Sequence, residues 1–123
     1  MCGQCTGEKP PRLLEQGLEW DAETRRDEVE RVARTLPPGP VVVGGDLNSS
    51  TLNTPRRRLL RAGLVDLHRA VGSGAGVTRT RWRATFRIDW LLTSRDVTPV
   101  REWVDEQRGS DHSPVVADIG LPR

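Results

Sequence analysis

One stretch of this chain, residues 41–50, constrains the fold more than any other. Three valines between Pro40 and a pair of glycines predict a short strand that is apolar on both faces, and hence buried in the middle of a sheet. The glycines allow the backbone to turn sharply where the strand ends. Asp46 and Asn48 then lie at the edge where open α/β sheets bind ligands. They predict either a polar site in a cleft or an Asx turn bonded only to nearby backbone.

Length and composition predict a single soluble domain. The chain has 123 residues, of which 29% are charged and 35% hydrophobic, and its net charge is +2. These values are typical of a globular protein with a modest core. No apolar run approaches the ~20 residues that a membrane span requires, and residues 1–11 lack the apolar core of a signal peptide. The sequence assigns no compartment beyond this.

Residues 1–19 are predicted to form a flexible amino-terminal tail, and residues 20–123 to form the domain. Cys2 and Cys5 have the spacing of half a zinc site or of a redox pair. However, no further ligands lie nearby in sequence and no βαβ unit follows. Two reduced thiols in a frayed tail are therefore the simpler interpretation.

Two helices are predicted, one on each side of the valine strand. The first begins at a cap residue, Asp21, and ends before Pro37. Its apolar stripe consists of Val29, Val32, Ala33 and Leu36. The second covers residues 55–62, between a Thr-Pro start and a glycine stop. Its arginines could meet a polyanion, but a solvated surface is the simpler interpretation for Arg56, Arg57, Arg58 and Arg61.

Residues 78–89 alternate between two classes of side chain and predict a strand. Apolar residues and threonines occupy every second position, and arginines occupy most of the others. If this strand is unbroken, the arginines share one face with Asp89. Arginines interleaved with aromatic residues suit a phosphate-rich or nucleic-acid substrate, although charges on an edge strand also discourage aggregation. The candidate substrate contacts are Arg79, Arg81, Trp82, Arg83 and Arg87.

A carboxylate and a histidine are predicted to meet near the end of the chain. Asp89 lies in the apolar strand Ile88–Leu92, where an unpartnered carboxylate is costly to bury. The loop before the last strand carries Asp111 and His112 side by side. A histidine that transfers protons needs an acceptor to fix its orientation, and Asp89 is the natural candidate. We expect one cleft, at one edge of one sheet, to contain Asp46, Asn48, Asp89, Asp111 and His112.

Three motifs together resemble a known family. They are Gly-Gly-Asp46-Leu-Asn48, Arg87-Ile-Asp89-Trp-Leu-Leu and Gly-Ser-Asp111-His112-Ser-Pro-Val, in that order. On these motifs, residues 20–119 resemble the carboxyl-terminal half of the endonuclease/exonuclease/phosphatase superfamily. That superfamily includes abasic-site endonucleases, sphingomyelinases and inositol polyphosphate phosphatases. The resemblance implies an α/β fold: a partial four-layered α/β sandwich, about half of the superfamily fold, mainly one sheet with flanking helices.

The resemblance also implies Mg²⁺-dependent (or Mn²⁺-dependent) hydrolysis of phosphoric esters. By the family pattern, Asp46 and Asn48 position the attacking water and hold the phosphate. Asp89 orients His112, which contacts the phosphate and is assigned either as a base or as a charge stabiliser. The metal ligands in this chain would be Asp46 and Asp111. This division of labour agrees with what phosphoryl transfer requires, namely an in-line water, a cation and donors to the phosphate oxygens.

The chain also departs from the family. The family's first half supplies an asparagine, a metal-binding glutamate and a further histidine, and these have no counterpart here. One hypothesis is a truncated or split phosphoesterase that needs an amino-terminal half or self-association. The other is a non-catalytic remnant that binds anions or nucleic acid. The substrate stays open between nucleic acid, inositol phosphates and lipid headgroups, because family specificity resides in variable loops.

Overall fold

The computed structural model describes residues 11–48 and 54–123, and side chains from residue 23 onward within those ranges. The fold is mixed α/β, as predicted. The elements in chain order are α1 (Pro11–Arg34), β1 (Val42–Asp46), α2 (Thr54–Arg61), β2 (Val65–Asp66), α3 (Leu67–Val71), β3 (Arg79–Arg81), β4 (Ala84–Phe86), β5 (Asp89–Thr93), β6 (Thr98–Val104) and β7 (Val115–Gly120).

The helix α1 begins ten residues earlier than its predicted cap. Proline suits the first turn of a helix, because its missing N–H has no intrahelical acceptor there, and α1 starts at Pro11. Residues 11–19, which the sequence assigned to the tail, are helical, and Asp21 lies inside the helix. Cys2 and Cys5 lie outside the described residues, so their state and the domain boundary stay predictions.

In the part of the chain that the structure describes, the strands form one three-stranded sheet and two two-stranded sheets, all antiparallel, so the motif residues do not all lie at one edge of one sheet. In the largest, β5 lies between β1 and β2, while β3 pairs with β4 and β6 pairs with β7. The strand β5 is central because Trp90 and Leu92 are buried. The expectation that the valine strand is buried in mid-sheet is wrong within the described residues: β1 is an edge strand, and Val42 is 48% exposed. In the described residues, no second strand pairs with the other edge of β1, so its valines are not fully covered.

The core lies between the two longer helices and the three-stranded sheet. The core contains a buried cluster of Val29 from α1, Leu59 from α2, Leu92 from β5 and Leu64, which immediately precedes β2. Further residues that pack against it are Ala33, Leu36, Val43, Leu47 and Leu60. Most of the predicted stripe on α1 thus contributes to the core. This packing fixes β1 and β5 as neighbours, and so fixes the relation between the motifs at their ends.

The predicted continuous strand over residues 78–89 is wrong, because the chain reverses at Trp82. The strands β3 and β4 form a hairpin in which Arg81 lies opposite Ala84. Trp82 adopts a left-handed φ of 59° at the turn. The arginines of this segment therefore do not form a row with Asp89. Among the described residues, no helix is long and apolar enough to cross a membrane.

Candidate active site

His112 and Asp89 are in contact, as predicted. His112 Nδ1 lies 2.7 Å from Asp89 Oδ2, and both side chains are about three-quarters buried. An ionised carboxylate only accepts hydrogen bonds, so Nδ1 carries the proton and donates it to Asp89. This fixes the tautomer of the ring and leaves Nε2 as its unused nitrogen. Nε2 is 3.9 Å from Asp46 Oδ2, which is too far for a direct hydrogen bond.

Asp46 reaches this pair because of the strand register. In the ladder of β1 and β5, Asp46 lies opposite Asp89. Its Oδ1 accepts a hydrogen bond of 2.7 Å from the backbone N–H of Asn48, which has a left-handed φ of 45°. The two sequence interpretations are therefore compatible: one oxygen of Asp46 closes an Asx turn, and the other faces His112.

Asp46, Asp89 and His112 form a cluster with the chemistry of a metal site. Each residue offers one ligand atom, and these atoms all lie within 4.8 Å of one another. Asp89 and His112 are bonded to each other, so Asp46, with 37% of its side chain exposed, is the carboxylate available to a cation. A hard cation such as Mg²⁺ binds through one or two carboxylates together with water and substrate phosphate. The residues present fit such an ion.

Asp111 does not join that cluster. Its carboxylate lies 2.9 Å from Arg79 Nη2 and is 70% exposed. Arg79 also forms an isolated antiparallel bridge with His112. Segment 111–112 is thus held against the start of β3, and the metal role of Asp111 stays a prediction.

The hairpin carries most of the predicted substrate contacts. Arg81, Trp82 and Arg83 are exposed, and Trp82 is 93% accessible at the turn. A cleft of about 260 Å³ next to the hairpin is lined by Asn48, Arg79, Arg81, Phe86 and Ile88. Asn48 therefore lines the same cleft as Arg79 and Arg81.

A second, larger cleft opens at the dyad. It has a volume of about 530 Å³ and includes both His112 and Asp89 in its wall. The glycines of β1, Gly44 and Gly45, form another part of that wall, together with Pro114. The dyad is therefore accessible from this larger cleft, whereas the cleft next to the hairpin is lined by Asn48 and not by the dyad.

Arg87 faces away from the exposed hairpin arginines. Its guanidinium donates to Asp66 Oδ1 at 2.7 Å and lies over the ring of Trp90, 3.9 Å from the centroid. Arg56 donates to the other oxygen of Asp66 at 2.8 Å, so it is not the solvated arginine expected on α2. Burial alone would raise the pKa of Asp66, but hydrogen bonds from Arg87 and Arg56 outweigh it and lower the pKa. Arg87 is thus used inside the protein, and we do not propose it as a substrate contact.

Two buried acids, Asp66 and Glu102, were not identified from the sequence. Glu102 of β6 is 2% exposed, and its Oε2 lies 3.6 Å from Nδ1 of His68. Burial raises the pKa of Glu102 to about 7. No local signal predicts this, because glutamate is rarely fully buried.

Comparisons with known proteins show which family has a similar sequence. The model of the Endonuclease/Exonuclease/phosphatase family matches residues 11–112. Its members are generally phosphoric-ester hydrolases that use divalent metal ions. None of the curated proteins matches the sequence significantly.

Solved structures share the fold. An endonuclease/exonuclease/phosphatase from Bacteroides vulgatus is 19% identical, with a TM-score of 0.69 over 81% of this chain and 45% of its own. A family protein from Leptotrichia buccalis is 18% identical, with a TM-score of 0.61 over 79% of this chain and 41% of its own.

A mannosyl-6-phosphatase from Bacteroides thetaiotaomicron is 18% identical, with a TM-score of 0.59 over 81% of this chain and 44% of its own. The chain thus spans less than half the length of each of these structures. At such identities the likeness concerns the fold, whereas the family match rests on the sequence. The chain belongs to the Endonuclease/Exonuclease/phosphatase family.

Proposed function

We propose that this chain carries the dyad-bearing half of a phosphoric-ester hydrolase that depends on Mg²⁺ or Mn²⁺. The observation that carries this proposal is the 2.7 Å hydrogen bond between His112 Nδ1 and Asp89, with Asp46 beside the free ring nitrogen. An oriented imidazole next to an available carboxylate is what water attack on a phosphate requires. Family membership supports the same reaction class.

In this proposal, His112 acts through Nε2. When the ring is neutral, Nε2 can take a proton from an attacking water. When the ring is protonated, Nε2 can donate a hydrogen bond to a phosphate oxygen, where negative charge develops. In both states Asp89 holds Nδ1, so the orientation of the ring does not change. Asp89 is thus the residue that keeps His112 directed toward the substrate.

Asp46 would hold the metal ion, and Asn48 would help to hold the phosphate. When bound, the ion withdraws negative charge from the phosphate oxygens. The backbone N–H of Asn48 fixes Oδ1 of Asp46, which limits the directions that Oδ2 can take. Asp111 is the second proposed metal ligand, and to serve it would exchange its ion pair with Arg79 for the metal.

The hairpin would bind the rest of the substrate. Arg79, Arg81 and Arg83 supply positive charge, and the exposed ring of Trp82 supplies a flat apolar surface. Aromatic rings of this kind stack on bases, with arginines contacting the phosphates. Trp82 therefore favours a nucleic acid over inositol phosphates or lipid headgroups, which offer no aromatic ring.

We further propose that another polypeptide completes the site. In the described part of the chain, β1 pairs on one side only, and its glycines are exposed. The chain also spans less than half of its structural relatives. The partner would be the missing amino-terminal half or, in its absence, a second copy. A chain that never meets such a partner would instead be the non-catalytic anion-binding module.

The experiment is hydrolysis of bis-p-nitrophenyl phosphate and of an abasic-site duplex by the purified chain with Mg²⁺ or Mn²⁺. We expect low turnover, because one available carboxylate does not fix a cation well and small misplacements are costly. The His112→Ala variant should remove what turnover there is, by roughly 10²-fold or more. Asp118→Asn, which affects only an exposed pair with Arg101 on β6, is the matched control. Metal-dependent turnover unaffected by His112→Ala would refute the proposal.

A further inference from the structure

Thr78 lies between the two residues of the dyad and bonds to both backbone segments. It is 1% exposed and immediately precedes the hairpin. Its side-chain oxygen accepts hydrogen bonds from the backbone N–H groups of Ile88 and Asp89, each at 3.2 Å. Its carbonyl oxygen accepts one from the N–H of Ser113 at 2.7 Å. A single buried residue thus holds the backbone of Asp89 and the backbone next to His112.

The sheets do not provide this connection. Asp89 belongs to the three-stranded sheet, whereas His112 precedes β7, which pairs with β6. Besides the dyad's own hydrogen bond, the backbone links that the structure shows from this region to both segments are those of Thr78 and the bridge from Arg79 to His112. The position of Thr78 therefore bears on the distance between the two dyad side chains.

We infer that Thr78 is the positioning residue of the His112–Asp89 pair. Its hydrogen bonds to these segments go to backbone N–H groups, so it acts through the backbones of the pair. The inference rests on the proposed function only where activity is measured, since the geometry of the dyad can be observed without turnover. A hydroxyl is needed because valine, which has the same shape, would leave two N–H groups without their acceptor.

The test compares three variants of the full chain by NMR. Thr78→Val removes the acceptor, and Thr78→Ser keeps it. Thr93→Val is the matched control, because Thr93 is also fully buried and its hydroxyl has no hydrogen-bond partner among the described residues. The readouts are the low-field resonance of the His112 Nδ1 proton and the exchange rates of the Ile88 and Asp89 amides.

We expect Thr78→Val to lose or shift the His112 Nδ1 proton resonance and to speed exchange of the Asp89 amide by roughly tenfold. Thr78→Ser and Thr93→Val should keep both signals. Where the wild-type chain turns over, kcat of Thr78→Val should fall by roughly tenfold or more with little change in KM. An unchanged Nδ1 resonance and unchanged exchange in Thr78→Val would overturn the inference, whatever the activity.

If the valine variant does not fold, Thr78→Ala is measured in the same way. If neither folds, the wild-type chain decides: the Asp89 amide must exchange far more slowly than that of Arg83 in the exposed turn, and equal rates would overturn the inference. A dyad that loosens in Thr78→Val while the wild type shows no turnover would leave the positioning role intact and contradict only the proposed function.

Discussion

Asp46 and Asp89 lie opposite each other in the antiparallel ladder of β1 and β5. Like charges at such positions repel. His112 lies against both, with Nδ1 2.7 Å from Asp89 and Nε2 3.9 Å from Asp46. A protonated ring or a metal ion next to Asp46 would offset the repulsion. The arrangement therefore favours binding of positive charge near Asp46.

The first prediction concerns metal binding and needs no turnover. Asp46→Asn should weaken Mn²⁺ binding by roughly tenfold or more, because a neutral amide replaces the carboxylate that is available to a hard cation. Asp111→Asn is the matched variant, and Mn²⁺ binding can be followed by electron paramagnetic resonance. If both variants weaken binding, both residues are ligands. Binding that neither variant alters would refute a metal site here.

The second prediction concerns the hairpin. Trp82→Ala should weaken binding of a single-stranded oligonucleotide by roughly tenfold, because a stacked base contributes about 1–3 kcal/mol. Inorganic phosphate, which has no base, should bind equally well to both proteins. Arg81→Ala should reduce the salt dependence of oligonucleotide binding. Arg101→Ala, an exposed arginine outside the hairpin, serves as the control. Equal oligonucleotide binding by Trp82→Ala would exclude stacking on this ring.

The sequence predicted the dyad but not the hairpin, for a physical reason. Asp89 needed a partner because it lies in an apolar strand. Of the two histidines in the sequence, only His112 lies in a polar loop that also carries one of the family's motifs. A period of two, in contrast, continues unchanged through a two-residue turn. Trp82 and Arg83 are not the glycine, asparagine or aspartate that normally identify such a turn. The burial of Arg87 could not be predicted for the same reason, because Arg87 occupies the same alternate positions in the sequence as the exposed arginines.

Other parts of the fold depend on contacts that are distant in sequence. Thr78 hydrogen-bonds to two segments, at residues 88–89 and at Ser113, that are distant from it in sequence, so no local pattern identifies it. The valines of β1 correctly indicated an apolar strand. Their exposure could not be predicted, because it depends on which elements pack beside β1, and no local pattern reveals these.

The third prediction concerns the buried acid between two arginines. Asp66→Asn keeps the capacity to cap α3, where Asp66 accepts from the N–H groups of His68 and Arg69. It removes the charge that balances Arg56 and Arg87, so unfolding free energy should fall by roughly 3 kcal/mol in urea denaturation. Arg58→Ala, which breaks the half-buried pair with Glu30, should cost far less because this pair lies near solvent. A similar loss in the two variants would contradict this account.

The fourth prediction concerns pH. Burial raises the pKa of Glu102 to about 7 from an ordinary value of 4.5. Between these values the native state keeps a proton that the unfolded state releases, so this residue lowers stability as pH rises through the window. Glu102→Gln does not titrate. Its stability relative to wild type should therefore increase from pH 5 to pH 8 by on the order of 2 kcal/mol.

Urea denaturation at the two pH values measures this difference. Glu106→Gln, on an exposed neighbouring acid, should show no such trend. The other groups near Glu102 are His68, whose Nδ1 lies 3.6 Å away, and the more distant charges of Arg87 and Asp66. A stability difference that stays constant between pH 5 and pH 8 would show that Glu102 titrates normally in the folded protein.

The last prediction concerns the open edge of β1. An edge strand with free backbone groups and an exposed apolar side chain readily pairs with another strand. Val42 is 48% exposed on this edge, and within the described residues β1 pairs with β5 alone. When no other polypeptide pairs with this edge, we expect the chain to self-associate through β1. Val42→Lys should then shift it toward the monomer in sedimentation velocity, because a lysine on an edge strand opposes pairing. Val100→Lys removes a similarly exposed valine from β6 and should leave the distribution unchanged. If both variants behave alike, the association is nonspecific, and if the wild-type chain is monomeric at all concentrations, β1 does not pair with a second copy.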